Sequence, residues 1–332
     1  MRISSQRLAE SVTLGLWDEL STCQGATFFH SGIWSQVLES SFSRWQAAPI
    51  SWEFSDGNVA LLPLMKRPGL LGLGVYKESM IPGVYGGPIF LRRPTKNHWD
   101  EFWKATEKVS NVIIYGNPFL EQSRFPEHST TSMSTHALDL SPGVNSVLKC
   151  FRKGHMAAVK AARRKGLEIT IASSLDDVSA YFDIYQRALT RWGNAASGFY
   201  PADLFRNLFQ LPSYGEKVKL WLAKNNRTVI AGIWVFYHND HAVYWHGVTE
   251  ANHFSDHPAH LLVTSAIEEA CGNALRWFDF NPSGGLKGVE HFKRGFGAKP
   301  LDFFVYRRLG ATGKGYRVSR QVKQTLLGTC PL

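Results

Sequence analysis

The sequence is short of charge, short of paired cysteine and without a long apolar run, and each shortage closes off a class of protein. Charged residues make up only 19% of the 332, against 44% hydrophobic and 13% aromatic. A chain this apolar can bury enough surface to offset the entropy lost on ordering, which excludes a disordered protein. Its four cysteines, Cys23, Cys150, Cys271 and Cys330, stand far apart with no CxxC or Cys/His spacing. That excludes a disulfide framework or a zinc knuckle, and no metal is expected. No stretch approaches the roughly 18 apolar residues of a membrane span. Arg2, Arg7, Glu10, Asp18 and Glu19 fall where a signal peptide needs an apolar core, so the expectation is a cytoplasmic protein. The glycine-lysine spacing of a P-loop is missing as well.

Length and positive charge are what the chain does have. Lys and Arg number 37 against 27 Asp and Glu, a formal +10. Such a surplus favours an anionic partner: a nucleotide, a phosphorylated carrier, RNA or an acidic membrane surface. At 332 residues there is room for two domains, each with its own core.

The second half is the easier to read. Helical spacing of Leu148, Phe151, Val159 and Ala162 predicts one helix over 145–165, its other face carrying Lys149, Arg152, Lys153, Lys160, Arg163, Arg164 and Lys165. Alternation predicts a strand over 167–172. Ser174 with Asp177 three residues on opens a helix that runs to Gly193, and a shorter helix spans 201–211. Three apolar strands, 218–224, 228–237 and 241–248, are punctuated by Asn225-Asn226 and Asn239-Asp240 and predict an antiparallel meander. Pro258 starts a helix that ends at Gly272-Asn273. A strand over 275–280, a glycine-rich loop, a short helix over 289–294 and a strand over 300–307 follow. The order β-α-α-β-β-β-α-β-α-β, with a crossover helix after a meander, predicts an α/β fold built on a mixed sheet.

The first half repeats part of this order less clearly, with helices over 33–41 and 97–109 and strands over 50–54, 59–65, 85–91 and 111–115. Tyr115-Gly116-Asn117-Pro118 and Asp279-Phe280-Asn281-Pro282 each end an apolar strand in Asn-Pro after a helix. Two related domains are therefore expected, 1–142 and 143–332.

Chemistry concentrates in Asn281-Pro282-Ser283-Gly284-Gly285 and the following His291-Phe292-Lys293-Arg294. A strand ending in a glycine-rich loop that opens a helix turns backbone N–H groups toward an anionic or carbonyl oxygen. Ser283 is a candidate hydrogen-bond donor, and Lys293 with Arg294 could neutralise phosphate or an oxyanion. Asp279, in an apolar strand, and His246, in the strand before the crossover helix, are candidates for taking the proton of an attacking group. His253, His257 and His260 read as polar lining rather than a metal set.

These elements and motifs resemble the GNAT acyltransferase superfamily, and within it the tandem-GNAT branch of Fem-type peptidoglycan bridge aminoacyltransferases. The resemblance rests on Phe151-Arg152-Lys153-Gly154-His155, Ala161-Ala162-Arg163-Arg164-Lys165-Gly166, Arg276-Trp277-Phe278-Asp279-Phe280 and His291-Phe292-Lys293-Arg294-Gly295-Phe296-Gly297. In the first half, Phe29-His30-Ser31-Gly32-Ile33-Trp34 and Tyr85-Gly86-Gly87-Pro88 look like the family's opening helix and substrate-side strand. It implies acyl or aminoacyl transfer from acyl-coenzyme A or aminoacyl-tRNA to an amine on a cell-envelope or polysaccharide precursor, with no tightly bound cofactor. Phe292 and Lys293 match the Phe-Lys pair of the Fem channel, and Arg152 and Lys153 would meet an anionic substrate. Simple GNAT enzymes seat the pyrophosphate of coenzyme A on a glycine motif after the fourth strand, where this chain has Asn252-His253-Phe254-Ser255-Asp256-His257-Pro258-Ala259. Without glycine the backbone approaches a pyrophosphate less closely, which moves weight toward other donors. The partners expected are an anionic or carrier-linked substrate, with tRNA and the inner-membrane surface as further partners, and no DNA. The competing expectation is a non-catalytic GNAT scaffold that binds RNA or an anionic surface through its basic helix.

Overall fold

The computed structural model describes all residues except 9–11, 70–73, 82, 121–125, 127–129, 194–198 and 311–332. Cys330 lies outside the described residues. The chain forms two compact units, one from residues 1–134 with 301–332, the other from 135–300. The divide expected at 142 thus falls earlier, and the last strand counts with the first unit. It does so because that strand finds its hydrogen-bond partner in the strand ending at Tyr115.

Unit 1 opens with β1 (Ile3–Arg7), α1 (Leu14–Ser21) and α2 (Gly32–Ser41), followed by β2 (Gln46–Ala47), β3 (Ile50–Phe54) and β4 (Val59–Leu62). Then come β5 (Met65–Pro68), β6 (Val75–Glu78), β7 (Ile89–Phe90), α3 (Lys96–Thr106) and β8 (Val112–Tyr115). Strand order β1-β3-β4-β7 makes a small sheet. In a second sheet β5 and β6 pair antiparallel, α3 carries the chain across, and β8 joins β6 in parallel. Trp52, Phe90, Trp99, Phe102 and Trp103 fill the core beneath.

The parting of β6 and β8 is closed from within. Ser79 donates to the Tyr115 carbonyl through Oγ (3.3 Å) and accepts from the Tyr115 N–H (2.8 Å), while the Gly86 N–H reaches the same carbonyl (3.2 Å). Gly86 is required there, because a Cβ would collide with the Ser79 carbonyl oxygen. The stretch expected as one strand over 85–91 is therefore mostly an extended plug, with only Ile89–Phe90 in a ladder.

Unit 2 begins in the last residues of β9 (Thr130–Asp139) and continues through α4 (Val144–Lys149), α5 (Lys153–Arg164), β10 (Glu168–Ile171), α6 (Leu175–Trp192) and α7 (Ala202–Phe209). The meander β11 (Val218–Asn225), β12 (Thr228–His238) and β13 (His241–Thr249) follows, then α8 (Pro258–Gly272), β14 (Trp277–Asp279) and α9 (Lys287–Gly295); β15 (Lys299–Arg308) is the last element among the described residues. Strand order within the unit is β10-β11-β12-β13-β14-β9, antiparallel except for β13 with β14. This is the expected mixed α/β sheet with its crossover helix.

Local signals account for most boundaries. The Ser174 side chain caps α6 by accepting from the Asp177 N–H (3.2 Å), and Val178, Tyr181, Ile184, Tyr185 and Ala188 form its buried stripe. The single helix expected over 145–165 is two, and the cause is tertiary. The Phe151 ring packs edge-on against Phe296 (5.0 Å) and the Arg152 N–H donates to the Gly295 carbonyl (2.8 Å), which holds Arg152 extended. Strand β9 was not foreseen, since its run of Thr, Ser and His lacks apolar alternation. Among the described residues no helix is long and apolar enough to cross a membrane.

Gly86→Ala is expected to destabilise unit 1 by about 1–3 kcal/mol, the usual cost of overpacking a tight site. Urea unfolding followed by tryptophan fluorescence reads this as a lower midpoint, and an unchanged midpoint would show that the plug tolerates a side chain.

Candidate functional site

In unit 2 the two parallel strands stay together briefly and then part. β13 and β14 pair only as His241↔Trp277, Ala242↔Phe278 and Val243↔Asp279; β14 then ends while β13 runs on to Thr249. Beyond Val243, therefore, one edge of β13 has no strand beside it among the described residues. On its other edge the register against β12 slips between Val235↔Tyr244 and Trp234↔His246, leaving Trp245 as a bulge. The bulge turns neighbouring side chains the same way. Trp245 stacks on Phe236 (5.2 Å) and nears Tyr200 (5.1 Å), and His246 lies against Tyr185 (4.8 Å) and Phe205 (5.5 Å).

The opposite wall of the parting is a buried polar floor. Asp279 is fully buried, and its Oδ1 accepts from Thr135 Oγ1 (2.5 Å) and from the Asn281 N–H (3.0 Å); His241 Nε2 stands 3.8 Å from Oδ2. These donors let an ionisable group sit in an apolar strand. Asn281 takes a left-handed turn (φ 62°), so that its carbonyl faces back and accepts from Lys293 Nζ (2.6 Å). Helix α9 supplies that lysine on its inner face, only 4% exposed. Burial pushes the Lys293 ammonium down, the charges of Asp279 and Glu290 pull it partly back, and the result is a pKa of about 8. Beside it Arg294 Nε donates to His136 Nε2 (3.3 Å), and Ser283 Oγ is buried without a hydrogen-bond partner.

Lys293, Asp279, Asn281, Ser283 and Arg294, all singled out from the sequence, thus lie on one stretch of unit 2 where β14, the glycine-rich loop and α9 succeed one another. Phe292 points elsewhere. It is half-buried against His155 (5.7 Å), His260 (5.1 Å) and Phe296 (5.1 Å), and its carbonyl contacts His155 Nε2 (2.9 Å). Through these contacts the starts of α5 and α8 meet. Burial and the neighbouring histidines lower His155 and push His260 to about 4, so this cluster is neutral at pH 7. Arg152 and Lys153 are exposed at the start of α5.

Two expected residues sit apart from the floor. His246 lies in the aromatic pocket beneath α6 and α7, with Nδ1 bonded to the Tyr181 hydroxyl (2.5 Å), and burial pushes it down to about 3. That imidazole is neutral and too weak a base to collect a proton at pH 7. Tyr85 belongs to unit 1, fully buried against Phe29 (5.2 Å), Phe119 (5.9 Å) and Phe303 (6.1 Å). Sequence reasoning missed Thr135, His136 and His241, which no local pattern marks: the first two arrive on β9, and their relation to Asp279 and Arg294 spans most of the unit. Among the described residues no group of three or more His, Cys, Asp or Glu could hold a metal ion.

The turn into α8 also departs from a glycine nest. Residues 251–256 form a 3-10 turn, His257 is left-handed (φ 56°), and the Asp256 carboxylate just ahead of the helix is engaged by Lys165 and by His253 (2.6 Å).

Comparison with known proteins agrees with this geometry. Residues 150–294 match the family model of the acetyltransferase (GNAT) domain. The crystal structure of FemX superposes with a TM-score of 0.66 over 95% of this chain and 99% of its own, at 11% identity. The C-terminal domain of a putative lysylphosphatidylglycerol synthetase from Agrobacterium fabrum gives 0.55 over 94% and 98%, at 10% identity. L-PGS from Bacillus licheniformis gives 0.50 over 89% and 94%, at 14% identity. No curated protein matches by sequence. At these identities the superpositions show a shared fold, and the family match places the likeness to an acetyltransferase (GNAT) domain on residues 150–294.

Proposed function

We propose that unit 2 transfers an acyl or aminoacyl group from an activated donor, an acyl-coenzyme A or an aminoacyl-tRNA, to an amine on a cell-envelope or polysaccharide precursor. The observation that carries this reading is the parting of β13 and β14 over a buried polar floor that holds Lys293 beside Asp279. A thioester or ester carbonyl that enters the parting lies along backbone no longer committed to a ladder, where N–H groups can take its oxygen. The amine nitrogen attacks the carbonyl carbon, the bond to the thiol or ribose oxygen breaks, and the leaving atom takes up the proton that the amine gives up. Lys293 offsets the negative charge that develops on the way. Asp279, fully buried, is a positioning residue: it fixes the Asn281 turn and helps keep Lys293 charged.

The donor choice leans away from coenzyme A. A 3-10 turn followed by a left-handed histidine, with an ion-paired aspartate ahead of α8, offers a diphosphate less backbone than a glycine nest does. On the basic segment Arg163 is paired with Glu268 (2.9 Å) and Lys165 with Asp256, which leaves the exposed Lys149, Arg152, Lys153, Lys160 and Arg164 to meet an anionic partner.

Lys293→Ala is expected to lower turnover by a factor of about 10² or more, as loss of an oxyanion partner does. A panel of acyl-coenzyme A and aminoacyl-tRNA donors with a small amine acceptor measures it, and full activity of the variant would remove Lys293 from the mechanism.

The pH profile supplies a second check. Transfer should fall as pH rises through about 8, where Lys293 loses its charge. In Lys293→Arg that falling limb should vanish, since the guanidinium stays charged. Asp279→Asn keeps an acceptor for Thr135 and Asn281 but removes the charge that holds the lysine up, so the limb should move to lower pH. A limb that stays in place in both variants would belong to another group.

A further inference from the structure

We infer that unit 1 carries a ligand site of its own, a cavity that takes a small carboxylate borne on an apolar, ring-sized body. It is lined by Gln24, Arg93, Pro94, Trp99, Phe119 and Leu120 and holds about 210 Å³. That is below the roughly 300–1,000 Å³ typical of sites for drug-sized ligands, so the occupant is small. The site does not depend on the transfer reaction proposed for unit 2.

Its place follows from the repeat in the chain. In unit 2 the strand after the crossover helix ends in Asp279-Phe280-Asn281-Pro282, and the polar floor is built there. In unit 1 the corresponding β8 ends in Tyr115-Gly116-Asn117-Pro118, and the next two residues, Phe119 and Leu120, form one wall of the cavity. Space beyond the carboxyl end of such a strand is where open α/β sheets hold ligands. Because Ser79 closes the parting between β6 and β8, unit 1 cannot use that slot, and the cavity is a separate feature.

The walls are fixed in advance. Asn117 Nδ2 donates to the Gly25 carbonyl (2.6 Å), and its Oδ1 accepts from the Phe119 N–H (2.9 Å), which ties the segment of Gln24 to the loop after β8. Trp99 is 2% exposed and stacks on Trp103 (6.4 Å). Polar groups at the site are donors in excess. Among the described residues the exposed Arg93 guanidinium makes no ion pair, the exposed Gln24 makes no side-chain hydrogen bond, and no acidic residue lines the cavity. A planar fork with free donors suits a carboxylate, and Phe119, Trp99, Pro94 and Leu120 suit an apolar body.

Titration calorimetry on the full chain tests this with N-acetyl-L-phenylalanine, its neutral carboxamide and inorganic phosphate. The carboxylate is expected to bind at least tenfold more tightly than either other probe. Arg93→Gln should erase the preference over the amide while leaving the thermal midpoint unchanged, and Gln24→Ala should weaken binding without erasing it. Failure of the carboxylate to bind, equal binding of the amide, or undiminished binding to Arg93→Gln would overturn the assignment. Phosphate binding as tight as the carboxylate would overturn the apolar body.

Discussion

The separation of two parallel strands after three paired residues is the constraint on which unit 2 depends. Wherever a ladder stops inside a fold, the freed backbone groups need other partners, and a buried edge without them is costly. On the β14 side the chain answers with a turn: Asn281 goes left-handed, its N–H returns to Asp279 and its carbonyl takes Lys293. On the far edge of β13 a bulge at Trp245 interrupts its pairing with β12 near the same level, and the pairing then resumes from His246. Both strands of the parting are thus shaped, and the polar cluster exists because the sheet opens there.

Burying a lysine and an aspartate so close together is tolerable only when their remaining hydrogen-bonding capacity is met. Thr135 and the Asn281 N–H serve the carboxylate, and the Asn281 carbonyl serves the ammonium. The outcome is a lysine poised near neutrality, able to be charged at pH 7 and to lose that charge within reach of ordinary conditions. The histidines at the starts of α5 and α8 show the opposite tuning, since burial and mutual repulsion keep them neutral. Arg163, Lys165, Arg187, Lys219 and Lys224 are each matched by a carboxylate, so the formal surplus of positive charge rests on other basic side chains.

Each unit pairs two parallel strands that are joined through a helix, and the units differ in what fills the opening. In unit 2, Val243 and Asp279 are the last pair of the parallel ladder among the described residues. In unit 1 a single hydroxyl, Ser79 Oγ, occupies both hydrogen-bonding groups of Tyr115, and the glycine at 86 lets a third segment press against the gap. A pair of parallel strands is thereby open in unit 2 and closed in unit 1.

The sequence by itself determined the elements that rest on short-range signals. The cap at Ser174, the helix start at Pro258, the apolar residues of α6 and α8, the meander with its turns and the crossover helix all follow from periodicity and turn chemistry within a few residues. So did the loop from Asn281 to Arg294, whose glycines and basic pair mark it as chemical. Only the tertiary structure decided the rest. The break between α4 and α5 comes from Phe296 and Gly295, far along the chain. The strand that brings Thr135 and His136 to Asp279 and Arg294 is too polar to declare itself. His246 lies in an aromatic pocket, apart from the floor, because a bulge reorients one strand, and a bulge is set by register against a neighbour. Local pattern fixes which residues make a strand, but which strand lies beside it, and where the two part, depends on packing among segments that the sequence keeps apart.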